Sequence, residues 1–354
     1  MKLRALLRRE GGSDAPVADL DTEAMWDEIN DLSAAYRESR DPDLARRILR
    51  LRHEAGIRLI DEPPAEPAYA DPAFNQLPDG AVVTEVGSDQ VTPELVRAGI
   101  LRGGCVIVRG MVDDDAIARL TAGIDRAFAA REPYLAGNPT GDPFYEELEP
   151  TLRFDFTGER SFLNAGGGGV WAADSPPAFF DTLDAFERSG ITRVVAGYLG
   201  EPPTMSVNKS VLRKVEPTLF ERPTEIHGSK PSAWHQDGAF LKDVRALNVW
   251  LALSRCGDVA PGLDIVPRRL DRIVPTGTDG AVFQWSVAQS LARKEAGEFG
   301  IQRPIFEAGD VLFFDELFLH TTAAEPDMPN TRYAVEAWFF GSSGFPERYA
   351  PLAP

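Results

Sequence analysis

The residues Trp234-His235-Gln236-Asp237-Gly238 form the most informative stretch of the chain. In an extended backbone, residues two apart point to the same side, so His235 and Asp237 can present an imidazole and a carboxylate to one point in space. A metal that activates dioxygen needs three protein ligands on one face of an octahedron, with the opposite face left open. His320 is the obvious third ligand, because it follows a turn and a strand that lead toward the interior. We therefore predict a catalytic metal site made by His235, Asp237 and His320.

Short strand-forming runs, broken by Gly and Pro, surround this motif from about Asp79 onward. The runs with this pattern are Cys105–Arg109, Met205–Val215, Leu247–Leu253, Val311–Phe314 and Arg332–Phe340. Asp113–Arg131, opened by three capping aspartates, and Phe179–Leu199 are predicted helices. This order favours a mainly β fold with α elements, a barrel or sandwich core with a helical layer outside.

The first 80 residues differ from the rest of the chain. Thr22–Arg40 has the apolar spacing of one helix face, and a second helix should begin at Asp41-Pro42, with aspartate as N-cap and proline at the first helical position. The proline-rich segment Glu62–Gly80 reads as an extended connector. We therefore divide the chain into an N-terminal helical appendage with its connector, residues 1–80, and a catalytic domain, residues 81–354.

Composition limits the partners. Across 354 residues, 37 Lys and Arg stand against 55 Asp and Glu, and a net charge of −18 disfavours nucleic acid. The sequence has no apolar run long enough to span a bilayer, so no membrane partner is expected. Cys105 and Cys256 cannot build a disulfide framework, which favours a cytoplasmic protein. The oligomeric state is left open.

Arg332 adds a second chemical feature. It lies shortly after His320 and opens a strand. A buried guanidinium there is well suited to bind the distal end of a dicarboxylate through two parallel hydrogen bonds. The sequence therefore suggests an anionic cosubstrate.

Taken in order, these motifs resemble the phytanoyl-CoA dioxygenase-like branch of the Fe(II)/2-oxoglutarate-dependent oxygenases. The resemblance covers roughly residues 100 to 340. It is carried by Gly104–Gly110, His235-x-Asp237, Leu247–Leu253, the turn Ala308-Gly309-Asp310, His320 and Arg332.

The resemblance implies a double-stranded β-helix, a jelly-roll or cupin-like barrel, with flanking helices. It also implies Fe(II) held by His235, Asp237 and His320, with 2-oxoglutarate chelating the metal. The positions that would bind this cosubstrate are Arg332 and Thr322, with Trp250, Asn248 and Asn208 lining its pocket. Lys209 would replace Asn208 if the strand register were shifted by one residue.

The activity implied is oxidation of a small molecule by O2, with release of succinate and CO2. Halogenating relatives lose the carboxylate ligand, so the presence of Asp237 favours hydroxylation or a related oxidation. We expect a specialised metabolite, because the acidic chain is less suited to the phosphates of an acyl-CoA.

Other interpretations stay open. A barrel without catalysis could bind a ligand or partner protein, and the same three ligands could hold the zinc of a hydrolase. Individually, His235 and Asp237 could be a structural pair, Arg332 a strand-end salt bridge and Trp250 ordinary core.

Segments outside the barrel should shape the pocket. We interpret Asn164–Trp171 as a mobile flap, which either covers the active site or is an ordinary surface loop, and we expect pocket walls from the N-terminal helices and the insert Pro267–Arg303. His227 is predicted to lie at the surface and His53 to be structural or solvated. Cys256 has no nearby histidine in sequence to activate it, so we do not expect it to be a nucleophile.

Overall fold

The fold was analysed in a computed structural model. It describes residues 17, 20–80, 82–138, 140–149, 153, 154, 160, 163, 168–220, 233–241, 244–325 and 327–354.

Most helices lie before residue 200, and most strands lie after it. The α-helices of the described residues are α1 (Thr22–Ser39), α2 (Pro42–Asp61), α3 (Pro93–Gly103), α4 (Asp114–Leu135), α5 (Pro176–Ser189), α6 (Ile191–Leu199) and α7 (Gln289–Ala296). The strands are β1 (Thr84–Gly87), β2 (Cys105–Arg109), β3 (Gly169–Trp171), β4 (Pro203–Ser206), β5 (Val211–Val215), β6 (Ala246–Ala252), β7 (Gly262–Ile265), β8 (Val311–Phe314), β9 (His320–Ala323), β10 (Arg332–Gly341) and β11 (Pro351–Leu352). None of the described helices combines the length and the apolar character that crossing a membrane requires.

A large mixed sheet forms the frame of the molecule. Its strands follow the order β1-β2-β8-β6-β10-β4-β11, and only the β1–β2 pair is parallel. The ten-residue strand β10 pairs along one edge with β6 and along the other with β5 and then β4. β3 extends the sheet beyond β5. This long central strand therefore connects both halves of the sheet.

A second, smaller sheet consists of β7 and β9. His235 adds a single bridge to His320 on β9, and Ile265 on β7 bridges Gln302. Residues from both sheets line one cavity, so the site lies between the two sheets. The architecture is a mixed sheet with a smaller partner sheet and helices.

Both faces of the large sheet are buried. On β2, Val106 and Val108 join a cluster with the helices, whereas Cys105 and Ile107 join a second cluster with Trp250. This alternation follows the two-residue period of a strand. The helices therefore cover the outer face, and the inner face is turned toward the small sheet.

The two predicted N-terminal helices are confirmed. Asp21 caps α1 by accepting a hydrogen bond from a backbone N–H, and Asp41 caps α2 with Pro42 at its first position. α2 packs on the C-terminal strand: His53 Nδ1 lies 2.7 Å from the carbonyl oxygen of Pro351, which it can reach as a donor.

The run Met205–Val215 was predicted as one strand, and this is wrong. A 3₁₀ turn, Val207–Lys209, separates β4 from β5. The turn is held from outside, because Val207 N donates to Ala350 O at 2.9 Å and Ala350 N donates to Asn208 Oδ1 at 2.9 Å. A contact this distant in sequence overrides the local strand preference.

Candidate active site

The two candidate histidine ligands are paired through their backbones. His235 N donates to His320 O at 2.9 Å, and His320 N donates to His235 O at 3.1 Å. Two residues that exchange both hydrogen bonds form one rung of an antiparallel ladder. The imidazoles consequently lie on the same side, with ring centroids 4.5 Å apart.

Both imidazoles are oriented by main-chain carbonyls. His235 Nδ1 lies 2.9 Å from Ala233 O, and His320 Nδ1 lies 3.1 Å from Phe318 O. A carbonyl only accepts, so Nδ1 carries the proton and Nε2 keeps its lone pair. Burial lowers the pKa of His235, and burial together with the nearby His235 lowers the pKa of His320 to about 3. Both rings are therefore neutral near pH 7, as metal ligation requires.

Asp237 completes the group. The intervening Gln236 is extended, with φ −113° and ψ 132°, so His235 and Asp237 face the same point, as the motif predicts. The distance from Asp237 Oδ1 to His235 Nε2 is 3.6 Å. Asn248 Nδ2 donates to Asp237 Oδ2, whereas Oδ1 is buried without a hydrogen-bond partner. Burial raises the pKa of Asp237 well above its usual value.

The donor set fits a divalent metal. Among the described residues, His235, Asp237 and His320 are the one group of three or more His, Cys, Asp or Glu side chains whose ligand atoms converge, all within 4.8 Å of one another. Two histidines and one carboxylate form the ligand set typical of non-haem Fe(II) sites with open positions. The buried, unpartnered Asp237 Oδ1 is the atom that most needs such a cation.

A cavity of about 420 Å³ opens onto this group. Among the described residues, its lining consists of Leu163, Trp171, Asn208, Lys209, Val211, Arg213, His235, Asp237, Phe240, Val249, Trp250, Leu263, Trp285, Phe314, His320, Thr322, Glu336 and Trp338. The lining is mostly apolar with a few charged groups, which is typical of small-molecule sites.

Arg332 is not part of the lining but lies close to Trp250, which is. It is 1% exposed and shares the inward face of β10 with Glu336 and Trp338. Within the described residues its guanidinium makes one hydrogen bond, from Nη1 to Gly262 O at 3.1 Å, and Nε has none. Burial lowers its pKa. A salt bridge at the strand end, the alternative interpretation, is absent among the described residues.

Trp250 and Thr322, two of the residues predicted to bind the cosubstrate, are part of the cavity lining. The Trp250 ring centroid is 5.7 Å from the Arg332 guanidinium carbon. Thr322 is two residues beyond His320 on β9, so both side chains are on one face of the strand. Trp250 is therefore near the buried arginine, and Thr322 is near the candidate ligand His320.

The two asparagines have different outcomes, since Asn208 lines the cavity and Asn248 does not. Asn248 is 1% exposed and is not part of the lining, because its amide is turned toward Asp237. It supports a candidate ligand instead of a cosubstrate. Asn208 and Lys209 both line the cavity, since the 3₁₀ turn removes the strand alternation that would have separated them.

An ion pair in the cavity wall was not anticipated. Arg213 Nη2 donates to Glu336 Oε2 at 2.8 Å. Despite burial, the nearby arginines keep the pKa of Glu336 below its usual value. A glutamate inside the apolar run Arg332–Phe340, two positions from Trp338, is the signal that could have identified this pair.

An aromatic rim was also missed. Trp285 lies edge-on to His235 at 5.8 Å and is 5.5 Å from the Phe240 ring. Trp285 belongs to the predicted insert Pro267–Arg303, which therefore supplies part of the wall. Helices α1 and α2 supply no described residue to the lining, contrary to the expectation that they would.

The other sequence predictions have separate outcomes. Residues 164–167 of the predicted flap and His227 lie outside the described residues, whereas Trp171, the last residue of the flap stretch, lines the cavity. His53 is buried against β11. Burial raises the pKa of Cys256 to about 11, so the thiolate is disfavoured, in line with the prediction.

No protein-family model and no curated protein matches the sequence. Among solved structures, the chain is similar to the non-haem α-ketoglutarate-dependent carbocyclase SnoK from nogalamycin biosynthesis, with 15% identity and a TM-score of 0.46 over 72% of this chain and 85% of that chain. It is also similar to EctD from S. alaskensis with 2-oxoglutarate and 5-hydroxyectoine, with 18% identity and a TM-score of 0.45 over 79% and 86% of the two chains. EvdO2 from Micromonospora carbonacea var. aurantiaca, complexed with 2-oxoglutarate, shows 15% identity and a TM-score of 0.45 over 73% and 91%. Similarity at this level decides neither the fold nor the activity of this chain.

Proposed function

We propose that this chain is a non-haem Fe(II)/2-oxoglutarate-dependent oxygenase of the phytanoyl-CoA dioxygenase-like branch, with its two sheets forming a double-stranded β-helix. One observation carries the proposal. The ligand atoms of His235, Asp237 and His320 converge within 4.8 Å at a cavity, and the free carboxylate oxygen of Asp237 is buried without a partner.

The three residues would hold Fe(II), and the bound metal would supply O2 activation coupled to decarboxylation of 2-oxoglutarate to succinate and CO2. The chain's own contribution is orientation. The carbonyls of Ala233 and Phe318 fix both imidazoles with Nε2 toward the site. Asn248 holds Asp237 Oδ2, which leaves Oδ1 as the ligand atom.

Arg332 would bind the far carboxylate of 2-oxoglutarate. A buried guanidinium with one main-chain hydrogen bond among the described residues has donors left for two carboxylate oxygens. Thr322 and Trp250 line the same cavity, where they would position the diacid and exclude water.

The substrate would be a small molecule, and hydroxylation or a related oxidation the outcome. We further propose a specialised metabolite as substrate, a cytoplasmic location and a catalytic domain that begins at about residue 81. The acidic composition, the two cysteines that cannot build a disulfide framework and the proline-rich segment before residue 81 support these points.

The test is iron-dependent turnover of 2-oxoglutarate. Purified protein reconstituted with Fe(II) without oxygen, then exposed to O2, is expected to form succinate, and His320→Ala should abolish this. Asp271→Asn is a suitable control, because that side chain is 94% exposed. Failure to bind Fe(II) or 2-oxoglutarate would instead favour a catalytically silent barrel that binds a ligand or partner.

A further inference from the structure

Lys209 is a cation that the proposed reaction does not use. Its side chain lines the cavity, and Nζ lies 5.2 to 5.5 Å from the ring centroids of Phe240, Trp338 and Tyr349. It makes no hydrogen bond or ion pair with any described residue. Aromatic faces stabilise an ammonium only partly, so a half-buried lysine in this position can still gain from an anion.

This inference rests on the proposed function. Once the metal and 2-oxoglutarate are bound, every other charged group named at the site has a partner of opposite charge. Arg213 is neutralised by Glu336. The two positive charges of Fe(II) are balanced by Asp237 and by the chelating carboxylate of 2-oxoglutarate, and Arg332 is balanced by its far carboxylate. Lys209 is left with one uncompensated positive charge.

In the proposed function 2-oxoglutarate uses one carboxylate at the metal and the other at Arg332, so neither is left to pair with Lys209. Lys209 lies beside Trp338, which is paired across the sheet with Asn248. The positive charge of Lys209 acts on Asp237, so the ammonium is near the metal group. Phe240, on the other side of the ammonium, is 42% exposed, so Lys209 lies at the open end of the cavity.

The apolar surface of this end is made of aromatic rings, whose faces are planar. Trp285 stacks on Phe283 with ring centroids 4.8 Å apart and an interplanar angle of 8°, and Phe240 and Trp338 contribute two further rings. Aromatic side chains favour offset or edge contacts with other rings. We propose that the substrate is a monocarboxylate with a flat apolar ring, and that Lys209 binds its carboxylate at the cavity mouth.

This proposal separates substrate classes. A neutral molecule would leave Lys209 without an anion, and a cationic one would add a second like charge. A ligand with several phosphates would bring more negative charge than one lysine offsets. A single carboxylate beside a ring matches both the charge and the shape of the rim.

The test compares indole-3-acetate with its uncharged amide, indole-3-acetamide, by isothermal titration. Mn(II) replaces Fe(II) to prevent turnover, and 2-oxoglutarate is held at saturation so that its own subsite is filled. The acid is expected to bind at least about ten-fold more tightly than the amide, the ratio for one charged hydrogen bond. Lys209→Met should reduce binding of the acid to the level of the amide, and Lys209→Arg should restore the preference.

Lys214→Met is the matched control. Lys214 is paired with Asp125 at 2.5 Å and does not line the cavity, so this variant should keep the ten-fold preference. Equal affinities of the acid and the amide for the wild-type protein, an acid preference that survives Lys209→Met, or no binding of either probe at millimolar concentration would each overturn the proposal.

The same titrations separate this inference from the proposed function. Uptake of Mn(II) and 2-oxoglutarate without any preference for the acid would leave the oxygenase proposal intact and overturn the substrate class. A Lys209-dependent preference for the acid in a protein that binds neither Mn(II) nor 2-oxoglutarate would support the carboxylate site and overturn the oxygenase proposal.

Discussion

Asp237 is the residue whose two oxygens have different surroundings. Asn248 occupies Oδ2, whereas Oδ1 faces the two histidines without a hydrogen-bond partner. A buried carboxylate in this state favours its protonated form until a cation arrives. Asn248 therefore selects which oxygen is available to a metal, a role that its position on a strand face could not reveal.

We expect Asp237→Asn to separate stability from metal binding. Burial raises the pKa of Asp237 above its usual 3.8, so the folded, metal-free protein binds this proton more tightly than the unfolded chain. Its stability should therefore fall as the pH rises from about 4 through the folded pKa, and Asp237→Asn should remove that loss.

Melting temperatures measured between pH 4 and 8, with and without Mn(II), check this expectation. At pH 7 without metal, Asp237→Asn should be at least as stable as the wild type. Mn(II) should stabilise the wild type and the control Asp271→Asn but not Asp237→Asn. A metal-free Asp237→Asn protein that is markedly less stable than the wild type would contradict the explanation.

Arg332 is a charged residue in an almost fully buried position. Arg332→Lys keeps the charge but loses the planar fork, so the affinity for 2-oxoglutarate in the presence of Mn(II) should fall at least about ten-fold. Arg332→Met should abolish that binding without lowering the melting temperature of the ligand-free protein, because it removes a poorly compensated buried charge. Calorimetry measures both, with the more exposed Arg272→Met as control. Unchanged affinity in Arg332→Lys would rule out bidentate binding.

At the scale of elements, the sequence predicted the features that depend only on neighbouring residues, such as the start of a helix. The Asp41-Pro42 start of α2 is visible because a cap and a first-turn proline act within one turn. The division of Met205–Val215 was not predictable, because the hydrogen bonds that hold its turn come from Ala350. Strand patterning does not encode such distant partners.

The same limit explains what was found and missed in the site. His235 and Asp237 share a motif, and the position of His320 followed from the strand before it. The Arg213–Glu336 pair required knowing that β5 lies beside β10. Sequence spacing can show which residues share a face, but the neighbouring strand is decided by the whole fold.

Gln236, between two candidate ligands, links three segments. Its amide nitrogen donates to Arg272 O and Leu317 O, and its amide oxygen accepts from Val274 N. Gln236→Ala leaves these buried groups unpaired, so the free energy of unfolding should fall by about 2–4 kcal/mol. Urea unfolding measures this loss, and Gln302→Ala is the control because the Gln302 side chain makes no hydrogen bond in the described part of the chain. Equal stability of Gln236→Ala and the wild type would show that the three contacts are not needed.

At the scale of the whole molecule, the N-terminal helices contact the C-terminal segment, and that segment contacts the cavity wall. Ala353 N donates a hydrogen bond of 2.8 Å to the backbone oxygen of Arg52 on α2. The strand just before Ala353, β11, pairs with β4. Ala350, just before β11, holds Asn208 in the cavity wall. The division at residue 80 stays a prediction, and these contacts show how the first segment can act on the second.

Gly56→Val tests this connection. A Cβ at Gly56 would lie 2.9 Å from Leu352 N and from the carbonyl carbon of Pro351, so a larger side chain must displace β11. Valine favours a helix more than glycine does, so a lower melting temperature, corresponding to a loss of about 1–3 kcal/mol, would come from the clash alone. Ala34→Val, on the exposed face of α1, is the control. An unchanged melting temperature for Gly56→Val would contradict the close approach of α2 to β11 at Gly56.

The backbone rung between His235 and His320 has a thermodynamic consequence. Its two hydrogen bonds form during folding, so the entropy of bringing both imidazoles together is lost before any cation enters. Unlike a zinc finger, which orders only around its ion, such a centre can be emptied and refilled while the amide protons of both histidines stay protected from exchange with D2O.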